Sequence, residues 1–463
     1  MRHLKTRFAV YVCTEWPEYC NGTSAGAQVE RGRQVRLLTM LFRHLSGLES
    51  ILCYDDGVDV AELTRHTEQC LRDLELVKAT GLSWFRYPWR WHAIERRPGR
   101  YDWGRTDEAM SHLRNLGIEP IIDPCHHVSI PSYLERGFLD PDFAKHYSRF
   151  VAAALERYDW VRDITTFNEP YPTTLFAGQT GFWYPYRKSS QAFVAMLSNV
   201  ARAICEVSRI ACSVRGMRSV HFESCEDHQP LYWQDREWAD RQNEMRFLVT
   251  DLVLGRVNQD HPLYGFLRHN GMRVKDLHWF ASQPARIDIL ALDYYIHSEM
   301  QWRKTAAGMK VVRPSSNPRG FASVAMDYVE RYGRPIMLGE TNIRGSVRDR
   351  IGWLKYTYLE SERLAARSDV DFRGYGWFPL WDSCAWARDL CRTAKTETDP
   401  VGIYRLDQSR RKRLASELSQ VFSKLVAGKL SASEIPDVQF DHPVSEWMKG
   451  YVPLMEGRPS LTV

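Results

Sequence analysis

The sequence is informative first through what it lacks. It has no run of eighteen apolar residues, so no transmembrane helix is expected. Its ten cysteines include no C-x-x-C pair, which argues against a structural zinc site. Its 62 basic residues are spread among 57 acidic ones, whereas a nucleic-acid-binding protein clusters its cations on one face. We therefore expect no metal site and neither a membrane nor a nucleic-acid partner.

A recognisable export signal is also missing. The apolar run at residues 8–13 is too short for a secretory signal peptide, and it is soon followed by Glu15. We interpret this run as the first strand of the fold. We accordingly expect a cytoplasmic protein whose cysteines are reduced thiols.

What the chain does contain suits a large core, with 44% hydrophobic and 12% aromatic residues. Apolar runs of strand length alternate with amphipathic segments of helical spacing. Eight such pairs are typical of a closed parallel barrel. The predicted fold class is α/β, a (β/α)8 TIM barrel forming a single catalytic domain over residues 1–463. Insertions are predicted near 21–52 and 303–320, and a C-terminal tail at 427–463 is expected to wrap the barrel.

Two glutamates follow predicted strands. Residues 164–170 read Ile-Thr-Thr-Phe-Asn-Glu-Pro, a β-prone run that a proline ends, so Asn168 and Glu169 lie at its carboxyl end. Residues 336–340, Ile-Met-Leu-Gly-Glu, deliver Glu340 in the same way. Ligands bind at this end of the strands in parallel α/β folds. The two carboxyl groups are therefore expected to face each other across one mouth.

The Thr-Phe-Asn-Glu-Pro sequence resembles the acid/base motif of glycoside hydrolase family 1, the retaining β-glycosidases. The Leu-Gly-Glu-Thr-Asn sequence resembles the nucleophile motif of that family in a shuffled order. The resemblance extends roughly over residues 5–410. It implies that Glu340 is the nucleophile and Glu169 the acid/base, with their carboxyl groups roughly 5 Å apart. It also implies that no cofactor is needed.

The same resemblance implies roles for further residues. Asn168 would bind the sugar 2-hydroxyl, a contact that tightens in the transition state. Arg86, in Phe-Arg-Tyr-Pro, would keep the nucleophile ionised, because a nearby cation lowers the pKa of a carboxyl group. Tyr295, in Leu-Asp-Tyr-Tyr, would donate its hydroxyl to Glu340. Asp293 in this motif departs from the usual Asn.

The sugar pocket departs more from the family pattern. The sequence Cys-His-His-Val-Ser-Ile-Pro resembles the His-Trp-Asp-Leu-Pro of the family and makes His127 a sugar ligand, with His126 as the alternative. Glu15 stands nearest to the place of a glycone-binding Gln. Trp386 is kept in the last strand and loop, but Ala385 replaces the carboxylate that normally binds the outer hydroxyls.

Three functions are open on this basis. The first is a β-glucosidase-like exo-hydrolase of a small carbohydrate. The second is a phospho- or uronide-specific β-glycosidase, because Ala385 is followed by Arg388, Arg392 and Lys395. The third is a barrel that binds a saccharide without cleaving it. Transglycosylation would use the same residues as hydrolysis, and the sequence leaves the sugar, the linkage and the oligomeric state open.

Overall fold

Eight parallel strands form a closed barrel in the computed structural model, which describes residues 42–53, 57–306, 308–315, 317–384 and 398–442. They follow one another around the barrel in chain order, so the predicted (β/α)8 architecture is confirmed. The strands are β1 (Arg43–Gly47), β2 (Trp84–Pro88), β3 (Glu119–Asp123), β4 (Asp163–Ile164), β5 (Arg218–Ser224), β6 (Ile289–Asp293), β7 (Ile336–Glu340) and β8 (Phe372–Trp377).

Apolar side chains on alternate strand positions fill the barrel interior. The remaining strand residues face a larger core beneath the surrounding helices, so most strands read as continuous apolar runs. The interior cluster consists of Leu45, Trp84, Ile121, Val220, Phe222, Ile289, Ala291 and Met337.

The first barrel strand is not the one predicted from the sequence. Strand β1 pairs with β2 and β8 and so closes the barrel, while the run at residues 8–13 lies outside the described residues. Leu45 is the only large apolar side chain in the Arg-His-Leu-Ser-Gly of β1. A strand of that composition gives almost no alternating hydrophobic signal. The predicted insertion at 21–52 thus contains a barrel strand.

Strand β4 is shorter than predicted, because the chain leaves regular pairing after two residues. The next amide, that of Thr165, still donates to the Ile122 carbonyl at 2.7 Å, and the amide of Glu169 donates to the Phe222 carbonyl at 3.2 Å. The Asn-Glu pair therefore stays between β3 and β5. Glu169 has a φ of 37°, a left-handed conformation uncommon for a residue with a side chain.

The predicted loop near 303–320 is largely a β-hairpin, which is a correction. Strands Glu299–Thr305 and Gly308–Pro314 pair antiparallel, and the first also pairs in parallel with Asp227–Pro230. These segments follow β6 and β5, so the three-stranded sheet stands at the carboxyl end of the barrel. Its buried face forms a small core of Met300, Trp302 and Val311.

The helices surround the barrel. A 3-10 turn at Trp233–Asp235 leads into the helices Arg236–Met245 and Leu248–Val253. The other α-helices are Val60–Leu63, His66–Ala79, Trp91–Ile94, Gly104–Leu116, Phe143–Arg157, Pro170–Thr174, Ser190–Ser213, Tyr264–His269, Val274–Ser282, Phe321–Tyr332, Val347–Ala365 and Glu417–Val426. A π-helix spans Leu175–Thr180, and further 3-10 turns span Gly137–Leu139 and Ala432–Glu434.

Short strand pairs complete the described structure, at Leu52–Cys53 with Val58–Asp59, Ser383–Cys384 with Thr398–Asp399, and Arg405–Leu406 with Arg413–Leu414. The part of the chain that the structure describes has no helix long and apolar enough to cross a membrane.

The described part of the C-terminal tail lies along helix Val347–Ala365. The Lys355 ammonium donates to the Ile435 carbonyl at 2.6 Å, and the backbone amide of Asp441 donates to Asp349 at 2.6 Å. These contacts order residues 435–442 on the outside of the barrel. The remainder of the tail predicted at 427–463 lies outside the described residues.

Candidate active site

Glu340 is the last residue of β7, and two side chains from other strands hold its carboxylate. The Arg86 guanidinium donates to one oxygen, and the Tyr295 hydroxyl donates to the other at 2.6 Å. The side chain is buried, with 4% of the residue exposed. Burial raises the pKa of Glu340 above its usual value, although the charges of Arg86 and His126 and the Tyr295 hydroxyl act in the opposite direction. In its ionised form the carboxylate has both a counter-ion and a hydrogen-bond donor.

Arg86 connects four strands through one buried guanidinium. Besides Glu340 after β7, it donates to Asp123 at the end of β3 at 2.8 Å and to Asn168 after β4. Its face lies 3.9 Å from the ring centroid of Phe222 on β5. Burial alone would raise the pKa of Asp123, but the nearby charges of Arg86 and His126 lower it. Arg86 therefore fixes the positions of the polar side chains in the barrel mouth.

Glu169 stands in a different environment. Burial raises the pKa of this carboxyl group well above its usual range, and the charge of Glu340 raises it further, followed by that of Glu223. The nearest cation-forming group is His127, whose Nε2 lies 3.7 Å from Oε2 of Glu169. Since 14% of the side chain is exposed, this acid can reach a ligand while still favouring its protonated form.

The two adjacent histidines carry different charges. His126 Nδ1 lies 2.7 Å from Asp123, and its Nε2 lies 2.8 Å from Glu49. Burial disfavours the imidazolium, but these two carboxylates raise the pKa of His126 to about 10. Burial and the charges of His126 and Arg86 instead lower the pKa of His127 well below its usual value. His126 is therefore a cation and His127 a neutral imidazole.

His127 lies beside the residues that precede and follow the acid. Its Nδ1 is 2.9 Å from the Thr173 hydroxyl, and its Nε2 is 3.1 Å from the Asn168 amide nitrogen. The ring centroids of Trp183 and His127 lie 4.7 Å apart. A neutral imidazole between an amide and an aromatic ring can donate to or accept from a ligand hydroxyl.

Most of the predicted site residues come together in this barrel mouth, and two lie outside the described residues. The residues that meet are Arg86, His126, His127, Asn168, Glu169, Tyr295 and Glu340. Glu15 and Trp386 lie outside the described residues, as does Ala385. Because β1 is Arg43–Gly47, the acidic residue that follows the first strand is Glu49 and not Glu15.

Sequence reasoning missed three buried carboxyl groups as members of the site and noted Asp293 only as a departure from the family pattern. Asp123 and Asp293 end β3 and β6, Glu223 lies one residue before the end of β5, and Glu49 follows β1. For Asp123 and Glu223 the strand ends carried a usable signal, since each acid completes or nearly completes an apolar run, whereas Glu49 follows a strand with almost no hydrophobic signal. Glu223 accepts hydrogen bonds from the backbone amides of Ser224 at 2.9 Å and Tyr171 at 3.1 Å. Burial nevertheless raises its pKa well above the usual range.

A closed parallel barrel with acids at the carboxyl ends of β4 and β7 defines a class of candidate. One acid is ion-paired and the other favours its proton, which is the pairing of carboxyl groups that glycosidic bond cleavage uses. The class is that of a glycosidase-like TIM barrel.

The known proteins most informative for this chain are plant β-glucosidases. It is 27% identical over 198 residues to the probable inactive beta-glucosidase 14 of Oryza sativa subsp. japonica, a match covering 40% of this chain and 37% of the relative. It is 30% identical over 131 residues to the chloroplastic 4-hydroxy-7-methoxy-3-oxo-3,4-dihydro-2H-1,4-benzoxazin-2-yl glucoside beta-D-glucosidase 1 of Zea mays, covering 25% and 23%. The matches thus span less than half of these relatives. No protein-family model matches the sequence.

Solved structures with the same fold are β-glucosidases of Thermotoga maritima. A family 1 enzyme in complex with isofagomine lactam superposes with a TM-score of 0.71 at 16% identity, over 84% of this chain and 98% of that one. The complex with methoxycarbonyl-substituted glucoimidazole gives 0.70 at 16% identity over the same shares. At such identities the superpositions establish the fold. The predicted resemblance to glycoside hydrolase family 1 is confirmed: the chain is similar in sequence to plant β-glucosidases over part of its length and in fold to the β-glucosidases of Thermotoga maritima.

Proposed function

We propose that the protein is a β-glucosidase-like enzyme that cleaves a β-O-glycosidic bond by double displacement, with retention of configuration. The observation that carries the proposal is the unequal environment of two acids in one barrel mouth. Glu340 has the Arg86 counter-ion and the Tyr295 donor, whereas burial and the charge of Glu340 raise the pKa of Glu169. One acid is suited to attack as an anion and the other to deliver a proton.

In the first half of the reaction, Glu340 attacks the anomeric carbon. A bond forms between its carboxylate oxygen and that carbon, and the bond from the carbon to the leaving oxygen breaks. Glu169 transfers its proton to the leaving oxygen, so the aglycone departs as a neutral alcohol. The Tyr295 hydroxyl and Arg86 keep the attacking carboxylate oriented until the new bond forms.

In the second half, Glu340 has lost its negative charge to the ester bond. The pKa of Glu169 therefore falls, because one of the charges that raised it is gone. Glu169, now a carboxylate, takes a proton from an incoming water, whose oxygen attacks the anomeric carbon. The ester bond breaks, and both acids return to their starting protonation states.

Sugar hydroxyl groups next to the anomeric carbon are proposed to bind Asn168 and His127. Asn168 is fully buried, its Oδ1 accepts a hydrogen bond from the Arg86 guanidinium, and its amide nitrogen faces His127. A neutral His127 can complete the hydrogen bonds of a hydroxyl group that this amide contacts. Whether the sugar is neutral or anionic depends on residues 385–397, which lie outside the described residues, so the phospho- or uronide-specific alternative stays a prediction.

The experiment that tests the proposal combines Glu340→Ala with covalent labelling. With an aryl β-glucoside, the variant should lose at least ~10³-fold in kcat, since the attacking group is removed. Azide, as a small external nucleophile, should restore turnover and give the glycosyl azide of inverted configuration. A 2-fluoro β-glucoside should label Glu340 in the unaltered protein, as read by peptide mass spectrometry.

The matched control is Glu362→Gln, which alters another largely buried glutamate, located on helix Val347–Ala365 outside the barrel. It should turn over aryl β-glucosides like the unaltered protein. Equal activity of Glu340→Ala and the unaltered protein would contradict the assignment, and so would a label on another carboxyl group.

The second candidate function is a barrel that binds a saccharide without cleaving it. It is favoured by the name of the rice relative, which describes that protein as probably inactive. In this case a glucose-like inhibitor should bind in calorimetry, while no turnover and no 2-fluoro label are detected. Binding together with labelling excludes this candidate.

A further inference from the structure

Asp293 ends β6 next to the candidate nucleophile, in a position without solvent. It is 1% exposed and pairs in register with Glu340 of β7. Its Oδ1 lies so close to Gly339 that a Cβ added to that glycine would be 2.5 Å away. Among the described residues, neither oxygen of Asp293 has a hydrogen-bond partner. The carboxyl group is therefore closely packed, shielded from solvent and without a hydrogen-bond partner among the described residues.

The nearby cation is already committed to other acids. Both terminal nitrogens of Arg86 donate elsewhere, one to Glu340 and the other to Asp123 and Asn168. The charges of Glu340, Glu169 and Glu223 raise the pKa of Asp293, and the charge of Arg86 lowers it. The neutral groups of Tyr295 and Cys225 also interact with Asp293. An ionised carboxylate at this place would face several negative charges with no donor of its own.

A buried carboxylate without a donor is so unfavourable that the group takes up a proton instead. The direction of the shift agrees, since burial and the charges of Glu340 and Glu169 raise the pKa of Asp293 well above its usual range. The geometry and the electrostatics thus both indicate that the Asp293 carboxyl group is protonated.

We propose that Asp293 is a protonated positioning residue of the active site, which keeps the triad of Glu169, Asp293 and Glu340 at a single negative charge. This inference rests on the proposed function. In the resting site the charge is on Glu340, while Glu169 and Asp293 each hold a proton. After Glu340 forms its bond to the sugar and Glu169 gives up its proton, the single charge is on Glu169. Asp293 remains neutral in both halves, so neither step places two anions together in the buried triad.

Asp293→Asn tests this by removing the ionisable group while keeping its shape. The measurement is the midpoint of thermal unfolding between about pH 4 and pH 9, spanning the usual aspartate pKa and the range above it. A folded state that holds a proton which the unfolded state releases loses stability as the pH rises. The unaltered protein should therefore lose more of its midpoint temperature with rising pH than Asp293→Asn does. Asp371→Asn, at an exposed aspartate, should follow the unaltered protein.

A second measurement does not depend on comparing stabilities. The infrared spectrum of the unaltered protein at neutral pH should contain the carbonyl band of a buried protonated carboxyl group that Asp293→Asn lacks. If Asp293→Asn and the unaltered protein have parallel pH curves and the same infrared bands, the proposal is overturned. It is also overturned if the unaltered protein gains stability relative to Asp293→Asn as the pH rises, because Asp293 would then be an ionised, paired group.

Kinetics then separate a neutral Asp293 from an ionised one. The acid limb of the kcat/KM profile with an aryl β-glucoside should stay within a few tenths of a pH unit in Asp293→Asn, since a neutral group has no charge to remove. A downward shift of the acid limb by about one unit or more would mean that an anion beside Glu340 had been lost. If the protein cleaves no glycoside, the proposed function fails, while the unfolding and infrared results still decide the protonation of Asp293.

Discussion

At the scale of single residues, one guanidinium balances several acids. Arg86 is 1% exposed and donates to Glu340, Asp123 and Asn168. Breaking a buried ion pair by removing one partner leaves the other charge uncompensated. The sequence predicted Arg86 as the partner of Glu340, whereas its contact with Asp123 appeared only when β2 and β3 were brought side by side.

Arg86→Met should therefore destabilise the protein by about 3–5 kcal/mol, because two buried carboxylates lose their cation. Urea unfolding measures this change. In the active enzyme the acid limb of the pH–rate profile should also move to higher pH, since the charge that lowers the pKa of Glu340 is gone. Arg373→Met, which removes a half-exposed cation paired with Asp371, should cost at most about 1 kcal/mol. Equal losses in the two variants would contradict the role of Arg86.

The glycine before the candidate nucleophile is required by close packing. A Cβ at Gly339 would lie 2.5 Å from Asp293 Oδ1 and 2.9 Å from the Phe222 ring. Gly339→Ala should destabilise the protein by about 1–3 kcal/mol, because the packed neighbours must move. Calorimetric unfolding and kcat together measure the effect, since Glu340 is the next residue.

Gly104→Ala provides the control for that substitution. A Cβ at Gly104, in the first turn of helix Gly104–Leu116, would meet its nearest atom only at 3.6 Å. Alanine there should be neutral or mildly stabilising, because it is the better helix former. If Gly339→Ala also leaves unfolding and kcat unchanged, the packing around the nucleophile is looser than the structure indicates.

The assignment of Glu169 has its own kinetic test. Glu169→Gln should lower kcat by about 10²–10⁴-fold for substrates with poor leaving groups, because the departing oxygen no longer receives a proton. An activated aryl glycoside, whose leaving group needs little protonation, should lose much less in the first step. A loss that is independent of the leaving group would exclude Glu169 as the acid.

At the scale of elements, the Glu299 carboxylate links the hairpin at Glu299–Pro314 to the segments on either side of it. Glu299 accepts from the Tyr294 hydroxyl at 2.7 Å and from the backbone amides of Arg319 at 2.5 Å and Gly320 at 2.8 Å. It thereby connects both ends of the hairpin segment to the end of β6. The sequence predicted a loop here because its glycines, prolines, serines and lysines suggested turns, and strand Glu299–Thr305 has four consecutive buried residues in place of an alternating pattern.

Glu299→Ala should loosen the hairpin while the barrel stays intact. Three donors lose their acceptor, and a buried unsatisfied donor costs about 1–3 kcal/mol. Hydrogen-exchange mass spectrometry should record faster exchange over residues 299–320 and unchanged protection in β6 and β7. Glu330→Ala, at an exposed glutamate of helix Phe321–Tyr332, should alter neither region. Uniformly faster exchange throughout the chain would mean that Glu299 supports the whole fold and not this hairpin.

At the scale of the whole molecule, two buried histidines whose pKa values are shifted in opposite directions limit the pH range in which the protein is most stable. Burial lowers the pKa of His221 to about 4. Burial also disfavours a charged His66, but Asp73 and Cys70 outweigh it and raise its pKa to about 9. His66 belongs to a buried cluster in which Asp73 also accepts two hydrogen bonds from Arg413, so it joins helix His66–Ala79 to the strand pair near the C-terminus.

The contribution of His66 to the free energy of unfolding should be complete below about pH 6.5 and be lost as the pH rises toward 9, since the folded state holds the proton more tightly than the unfolded state. The contribution of neutral His221 to the same free energy should be lost as the pH falls from about 6.5 toward 4, because the unfolded state then binds a proton that the folded state does not bind. The midpoint of thermal unfolding should therefore fall on both sides of neutrality. His66→Gln should flatten the alkaline side and His221→Gln the acid side, and the opposite assignment of the two slopes would contradict this account.

The sequence by itself determined the barrel and placed two glutamates at its mouth. Periodic apolar runs separated by helical segments specify strands and helices locally, because side-chain burial has a period of 2 in strands and 3.6 in helices. A glutamate at the end of such a run, as at Glu169 and Glu340, is a local signal as well. These features needed no knowledge of which strands are neighbours.

Only the tertiary structure decided which residues form β1 and which of the acids are protonated or ionised. The five residues of β1 carry one large apolar side chain, and pairing with β2 and β8 makes them a strand. Likewise, the sequence does not show which of Glu49, Asp123, Glu223 and Asp293 are ionised in the folded protein. Their charge states follow from burial and from through-space neighbours such as Arg86 and His126, because electrostatic interactions depend on distance in the fold and not on separation along the chain.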